Sequence, residues 1–338
     1  MTIFADRAAF EAALDVLPGP EVVAIAAARA RQAQLTKPPG SLGRLEDIAC
    51  FFAGWQGRER PAIENGRAVV FAGNHGVAAL GVSAFPAAVT AQMVANFRSG
   101  GAAINALAKA AGLSFEVVPL DLDRPTADFT ARPAMDEAEC LAALNAGAAA
   151  VPDDLDLLVV GEMGIANSTV AAALAARSYG GSGTAWVGPG TGLDAAGVFR
   201  KAKVVDCGLM RHAEAPPHAL ETLRRLGGRE TAAIAGAVLM ARQKRVPVLL
   251  DGFISCASIA PLAAVQPRIL DHCLAGHCSA EPGHQRLLAH FGLEPLLRLD
   301  MRLGEGSGAA IAVGIVRAAL AAHNDMATFA EAGVSGES

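Results

Sequence analysis

The sequence lacks the features that mark several large classes of protein. Only 18% of its 338 residues are charged, its net charge is -5 and its basic residues are scattered, so it offers no electrostatic footprint for a nucleic-acid backbone. No apolar run reaches the roughly 18 to 20 uncharged residues that a membrane-spanning helix needs. We therefore expect neither a nucleic-acid partner nor a membrane span.

Cysteine is scarce and irregularly placed. The six cysteines have no framework spacing, which predicts reduced thiols in a reducing compartment rather than a disulfide scaffold. The first residues show no basic stretch followed by an apolar core, so no secretory signal can be read. We expect a cytoplasmic protein.

Apolar residues are abundant, at 52% of the chain, and they follow two patterns. Up to about residue 55 they recur at helical spacing, whereas from Arg67 onward short continuous apolar runs alternate with glycines and alanine-rich helical stretches. Continuous apolar runs are typical of parallel strands that are buried on both faces, so the pattern predicts an α/β protein with a parallel sheet. The predicted strands are residues 68–72, 115–120, 155–160, 184–187 and 246–250.

A glycine-rich segment near the C-terminus contains one carboxylate. Glu305 lies between Gly304 and Gly306 and just before Gly308, where an apolar helical run begins. Glycines let a ligand approach the backbone, and a carboxylate among them can accept a proton. The alternative is a solvated glutamate at a loop-to-helix junction, which the helix dipole also favours.

Two further glycine-rich turns follow predicted strands. The first carries Glu162 and Gly164 and leads into a helix whose free amides can attract phosphate, with Asn167 or Ser168 as an ordinary N-cap in the alternative interpretation. The second, residues 188–194, is followed by lysines on a predicted helix and can hold a phosphate monoester, or it is a flexible loop. Neither turn matches the dinucleotide or Walker A pattern.

The histidines give weaker signals. His75 follows the first strand and can act as an acid or base, although a hydrogen-bonded structural role is the more common one. Among His272, His277, His284 and the neighbouring cysteines, the spacing is not that of the usual zinc pairs, so we predict no metal site.

Seven segments, taken in order along nearly the whole chain, resemble the nicotinate-nucleotide:dimethylbenzimidazole phosphoribosyltransferases, the family that makes the lower-ligand nucleotide of cobalamin. No single segment is decisive, but their common order makes chance similarity improbable. The segments are residues 35–46, 74–76, 161–164, 190–194, 251–253, 279–284 and 302–308.

The resemblance implies a Rossmann-like parallel sheet flanked by helices. It also implies a small helical domain made of both chain ends, residues 1–60 with 309–338, beside a large α/β catalytic domain, residues 61–308. A homodimer without a cofactor is expected, with nicotinate mononucleotide and dimethylbenzimidazole as substrates.

The resemblance assigns roles to individual residues. Glu305 matches the general base that removes the benzimidazole N–H proton, and Glu162 matches a second active-site carboxylate. The positions expected around the ribose phosphate are Gly164, Lys201, Ser279, Gly308, Gly190 and Thr191. The positions expected around the acceptor base are Ala84, Phe85, Gln92 and Leu303.

The chain departs from the family pattern mainly around the acceptor base. Ala84 and Phe85 stand where the family often has a Ser-Tyr pair, and Pro189 and Cys278 stand where arginine is common. A slot with fewer polar contacts discriminates weakly among flat rings, so adenine, another benzimidazole or a phenol is an alternative acceptor. A non-catalytic sensor of nicotinate mononucleotide is a further alternative, against which the retained Glu305 argues.

Overall fold

The computed structural model describes residues 3–190 and 192–335. Its centre is a sheet with strand order β2-β1-β3-β4-β5-β6, in which all neighbouring strands are parallel. The strands are β1 (Gly66–Ala72), β2 (Ser114–Pro119), β3 (Leu157–Met163), β4 (Val248–Leu250), β5 (Cys273–His277) and β6 (Pro295–Leu297).

Helices precede, connect and follow the strands. Before the sheet lie α1 (Arg7–Asp15), α2 (Val22–Gln32) and α3 (Arg44–Gln56). Between β1 and β4 lie α4 (Ala88–Arg98), α5 (Ala103–Ala110), α6 (Glu137–Ala149), α7 (Asn167–Tyr179), α8 (Gly183–Trp186), α9 (Ala195–Arg211), α10 (Ala219–Leu226) and α11 (Arg229–Gln243). The remaining helices are α12 (Phe253–Val265), α13 (Pro282–Phe291), α14 (Ser307–Asp325) and α15 (Phe329–Ala332).

Helices cover both faces of the sheet, which explains the continuous apolar strands. Successive side chains of a strand point to opposite faces, so Val69 and Phe71 enter one core while Ala68 and Val70 enter the other. The first core is shared with α1, α6, α7 and α9 to α13, and the second with α3, α4, α5 and α14. The predicted α/β class is confirmed.

One predicted strand is wrong and two strands were not predicted. Residues 184–187 lie in and after α8, a single helical turn in which the Gly183 amide donates to Asp206 Oδ1 (2.6 Å) and Trp186 is buried. This packing against α9 is tertiary, so the local β-propensity does not decide the outcome. The strands β5 and β6 give weak signals because β5 contains glycine and histidine, and β6 has three residues and begins with proline at the sheet edge.

The chain ends pack in different places. Phe10 and Leu14 of α1 enter the first core, whereas α3 and α14 contact each other in the second. The division into residues 1–60 with 309–338 and residues 61–308 stays a prediction. Within the described residues, no helix is both long and apolar enough to span a bilayer.

Candidate active site

A cleft opens at the carboxyl ends of β3, β4 and β5, the edge at which parallel sheets bind ligands. Its walls come from the turns after these strands and from the loop before α14. Lining residues include Glu162, Gly164, Asn167, Gly190, Phe253, His277, Ser279, Glu281, Arg302, Leu303 and Glu305.

Glu305 lies in a left-handed backbone conformation. The loop can adopt it because a glycine stands on each side of Glu305. Three consecutive residues have positive φ: Gly304 (86°), Glu305 (64°) and Gly306 (83°). Such a conformation is unusual for glutamate and easy for glycine. A Cβ at Gly161 on β3 would collide with the Glu305 carbonyl group, so the strand also needs a glycine for the loop to approach.

The Glu305 carboxylate is placed to accept a proton. It is 6% exposed, and its Oε2 has no hydrogen-bond partner among the described residues. Burial raises the pKa of Glu305, a backbone hydrogen bond from Ile104 opposes the shift, and the nearby charge of Asp251 adds to it. A base whose pKa lies closer to neutrality is better suited to proton transfer.

Glu162 lies near the end of β3, beside the loop that carries Glu305, since a Cβ at Gly304 would collide with its carboxylate. Its Oε2 accepts a hydrogen bond from Asn167 Nδ2. Burial raises the pKa of Glu162 well above its usual value, and the charges of Asp251 and Glu230 raise it further. A buried glutamate whose pKa is raised in this way can donate as well as accept hydrogen bonds.

A buried lysine marks the other end of the cleft. Lys201 of α9 is 1% exposed, and its Nζ donates to Ser168 Oγ (3.0 Å) and to the Gly188 carbonyl (3.1 Å). Burial lowers the pKa of Lys201, and the charge of Glu281 opposes this. Lys201 borders a small side cavity at the N-terminus of α7, and Gly164 lines both this cavity and the main cleft. An ammonium group and the free amides of a helix start therefore lie together there, an arrangement that favours the binding of an anion.

Ser279 is held by a histidine. Its backbone amide donates to His284 Nδ1 (2.9 Å), and its Oγ lies 3.0 Å from the same nitrogen. Burial lowers the pKa of His284 to about 3, so the ring is neutral at physiological pH and Nδ1 is an acceptor. His284 Nε2 lies 3.3 Å from Cys256 Sγ. His284 therefore stabilises the conformation of the turn at Ser279.

A family model described as phosphoribosyltransferase matches residues 17–334 of this chain. A relative from Novosphingobium aromaticivorans, named nicotinate-nucleotide--dimethylbenzimidazole phosphoribosyltransferase, is 70% identical over 335 residues, 99% of each chain. The chain belongs to this phosphoribosyltransferase family. A Rhodobacter capsulatus relative of the same name is 59% identical over 321 residues, 95% of this chain and 96% of its own.

Solved structures of the family have the same fold. The crystal structure of CobT from Thermus thermophilus superposes with a TM-score of 0.88 at 42% identity, covering 93% of this chain and 100% of its own. The chain is therefore a member of a pentosyltransferase family whose fold it shares.

The residues predicted for the phosphoribosyltransferase site fall into distinct places. Six line the cleft: Glu162, Gly164, Gly190, Ser279, Leu303 and Glu305. Lys201 borders the side cavity, Gly308 lies in the first turn of α14 against His277, and Thr191 lies outside the described residues.

The remaining predicted acceptor-pocket residues lie away from the cleft walls. Ala84, Phe85 and Gln92 are exposed and line neither the cleft nor the side cavity of the described residues. Their contact with the acceptor base stays a prediction.

The start of α7 corrects one interpretation. Neither Asn167 nor Ser168 is its N-cap: that position is Ala166, with a φ of 76°, and Asn167 turns its amide to Glu162. The preference of asparagine for the N-cap position is overridden here, because the buried Glu162 carboxylate needs a hydrogen-bond donor.

The histidines have other partners. His75 is buried, with its Nε2 2.7 Å from Glu230 Oε1, and His272 Nε2 lies 3.1 Å from the Val238 carbonyl. Across residues 3–190 and 192–335, no three His, Cys, Asp or Glu side chains group as metal ligands would.

Sequence reasoning gave no role in the cleft to three residues at this edge of the sheet. His277, which lines the cleft, ends β5, and the buried Asp251 directly follows β4, and this position at the ligand-binding edge is the signal that identifies them. Arg302 was noted only as part of a segment, although it is the one Lys or Arg side chain among the cleft-lining residues that the structure describes.

We expect the Glu162→Gln variant to become more stable relative to wild type as pH rises. A carboxyl whose folded pKa is raised favours folding most below its ordinary pKa and loses that contribution as pH rises through the raised value. Glutamine cannot ionise, so the melting temperature of the variant relative to wild type should increase as pH rises from the ordinary pKa of glutamate towards the raised pKa of Glu162. Calorimetry checks this, with exposed Glu214→Gln as control; a pH-independent difference would contradict it.

Proposed function

We propose that the cleft transfers the phosphoribosyl group of nicotinate mononucleotide to 5,6-dimethylbenzimidazole, giving α-ribazole 5′-phosphate and nicotinate in nucleotide-loop assembly of cobalamin biosynthesis. The observation that carries the proposal is Glu305, a buried carboxylate in the cleft with one oxygen that has no hydrogen-bond partner among the described residues, beside a side cavity that Lys201 borders. A base in the cleft and an anion site in the adjoining cavity fit an azole acceptor and a phosphorylated donor.

The reaction exchanges one C–N bond for another. The bond from C1′ to the nicotinate ring nitrogen breaks, and its electron pair leaves with the ring. The azole nitrogen that carries no hydrogen forms the new bond to C1′ with its lone pair, while the N–H proton of the other ring nitrogen passes to Glu305. Since the leaving ring departs without a pyrophosphate, no pyrophosphate charge has to be neutralised.

The remaining cleft residues bind and orient the donor. Lys201 and the amides at the start of α7 suit the 5′-phosphate, and Ser279 lines the cleft that adjoins them. Glu162, whose pKa is raised by burial, suits a ribose hydroxyl because it can form hydrogen bonds without a full negative charge.

Mass spectrometry of products tests the function. The enzyme is given nicotinate mononucleotide with an equimolar mixture of dimethylbenzimidazole, benzimidazole, adenine and phenol. We expect the dimethylbenzimidazole riboside phosphate to dominate. A different dominant product would keep the chemistry and change the acceptor, as the Ala84 and Phe85 departures allow. Donor binding without any product would favour the sensor.

Arg302 is expected to select nicotinate over nicotinamide donors. Its Nη1 donates to the Gly190 carbonyl (3.2 Å), which leaves further guanidinium donors for a carboxylate. We expect Arg302→Gln to lower kcat/KM for nicotinate mononucleotide by about 10- to 100-fold, the range of a lost charge-assisted pair. Turnover of nicotinamide mononucleotide should change little. Equal losses with both donors would assign Arg302 to the shared phosphate or to the fold.

We also propose that the enzyme acts as a cytoplasmic homodimer. Val16, Val22 and Val23, around the connection between α1 and α2, are 73%, 74% and 81% exposed. Neighbouring exposed apolar side chains are typical of a subunit contact. Sedimentation analysis measures the oligomeric state directly.

A further inference from the structure

Asp251 is a buried carboxylate to which the proposed reaction assigns no role. It directly follows β4, whose three residues are apolar and fully buried, and it is itself 1% exposed. Its Oδ2 accepts a hydrogen bond from the Gly306 amide (3.2 Å), and its Oδ1 accepts one from the Ala309 amide (2.9 Å). Both amides belong to the segment immediately after Glu305.

The segment that Asp251 binds has an unfavourable backbone conformation and needs contacts to stabilise it. Residues 304–306 all have positive φ, and for Glu305, which is not a glycine, this conformation carries a backbone cost. The conformation persists only where surrounding contacts fix it. Within the described residues, two side chains bond the backbone around Glu305: Ser307 Oγ donates to the Gly304 carbonyl (2.6 Å), and Asp251 accepts from the Gly306 and Ala309 amides.

Glycines on the adjacent strands seat the same segment. A Cβ at Gly276 of β5 would lie 2.6 Å from Ala309 Cα, and a Cβ at Gly161 of β3 would collide with the Glu305 carbonyl. Asp251 follows β4, which lies between these strands. The loop therefore rests on the ends of three neighbouring strands, with Asp251 as the central attachment.

A histidine packs beside Asp251. His277 Nε2 lies 3.4 Å from Asp251 Oδ1, and the ring fills the space that a side chain at Gly308 would need. His277 also lines the cleft. It confines the Asp251 carboxylate from the β5 side, so the carboxylate has little room to turn away from the two amides.

We propose that Asp251 is a positioning residue for the transfer reaction, because it fixes the left-handed loop that aims Glu305 into the cleft. The inference rests on the function proposed above. Asp251 acts through Glu305, since its oxygens face backbone amides. A displacement of the base by about 1 Å can lower turnover by about 100-fold.

The direct test is Asp251→Asn, which keeps the shape and one acceptor oxygen and removes the charge. We expect kcat to fall about 10- to 100-fold while KM for nicotinate mononucleotide changes little. In the Glu305→Gln background the same change should cost far less, because the base being positioned is already gone. Equal losses in both backgrounds would overturn the proposal.

The pH profile separates positioning from simple loss of stability. The charge of Asp251 raises the pKa of Glu305, so its removal should move the acid limb of kcat to lower pH. Other titratable or charged groups near Asp251 or Glu305 are Glu162 on β3, Cys256 on α12, His277 on β5, His284 on α13 and Arg302 on the loop, and all are retained in the variant. A lower kcat with an unmoved limb would indicate a purely structural role.

Controls keep the outcomes distinct. Asp136→Asn removes another aspartate that accepts a backbone amide, at the N-cap of α6, and should leave kcat and the pH limb unchanged. Asp251→Ser, which removes the charge with a smaller polar side chain, replaces Asp251→Asn if that variant fails to fold. If wild type shows no transfer, the proposed reaction fails, but a crystal structure of the variant still decides the role of Asp251: an unmoved Glu305 loop would contradict it.

Discussion

Glu305→Gln is expected to lower kcat by about 100- to 10,000-fold, the range that general-base catalysis contributes. Glutamine has nearly the same shape, and the loop contacts of Asp251 involve the backbone, so the pocket should remain intact. KM for nicotinate mononucleotide should stay within a few-fold of wild type, because the phosphate end of the cleft is unchanged. Steady-state kinetics with dimethylbenzimidazole as acceptor measures both quantities.

The control for this change is Glu294→Gln, which replaces a surface glutamate that is 84% exposed in its side chain. Its activity should equal that of wild type. Turnover of Glu305→Gln within about tenfold of wild type would remove Glu305 from the role of base.

Lys201→Met is expected to give the second-largest loss, about 30- to 1000-fold in kcat/KM for nicotinate mononucleotide. Removing one partner of a buried charged pair costs roughly 2 to 4 kcal/mol, which corresponds to that range. Methionine nearly matches the length of the lysine stem, so the change isolates the ammonium that donates to Ser168 and Gly188. The loss should appear mainly in KM, because the phosphate contact is made before and during transfer.

Two comparisons identify the phosphate as the partner of Lys201. Nicotinate riboside, which lacks the phosphate, should react equally slowly with wild type and Lys201→Met. Lys203→Met changes an exposed lysine on the same helix and should have no effect. A comparable loss with the riboside, or an equal effect at Lys203, would contradict the assignment.

Several parts of the fold were predictable because their cause is local. Continuous apolar runs predicted β1 to β4 to within a few residues, and for β1, β3 and β4 the cause is burial on both faces, which is recorded in the strand itself. Residues 184–187 failed because the same composition forms one helical turn when Trp186 is buried beside α9. The short edge strand β6 leaves almost no signal in three residues.

The two carboxylates of the candidate site were predictable from the sequence. Glycines around Glu305 and after β3 indicated both carboxylates, because close backbone approach requires glycine. The partners of these carboxylates were not predictable: Asn167 reaches Glu162, and Asp251 reaches the amides beyond Glu305, only once separate strands meet at one edge. Likewise, no local pattern indicates that Lys201 Nζ donates a hydrogen bond to the Gly188 carbonyl.

The measurement that tests the central claim most directly is the single-turnover rate of wild type and Glu305→Gln with benzimidazoles and benzotriazoles of increasing N–H acidity. If Glu305 removes the azole proton, the deficit of the variant should shrink as the acceptor loses its proton more easily, and it should nearly vanish for an acceptor that is already anionic. A deficit that stays constant across the series would contradict the account, because Glu305 would then contribute to binding or folding and not to proton transfer.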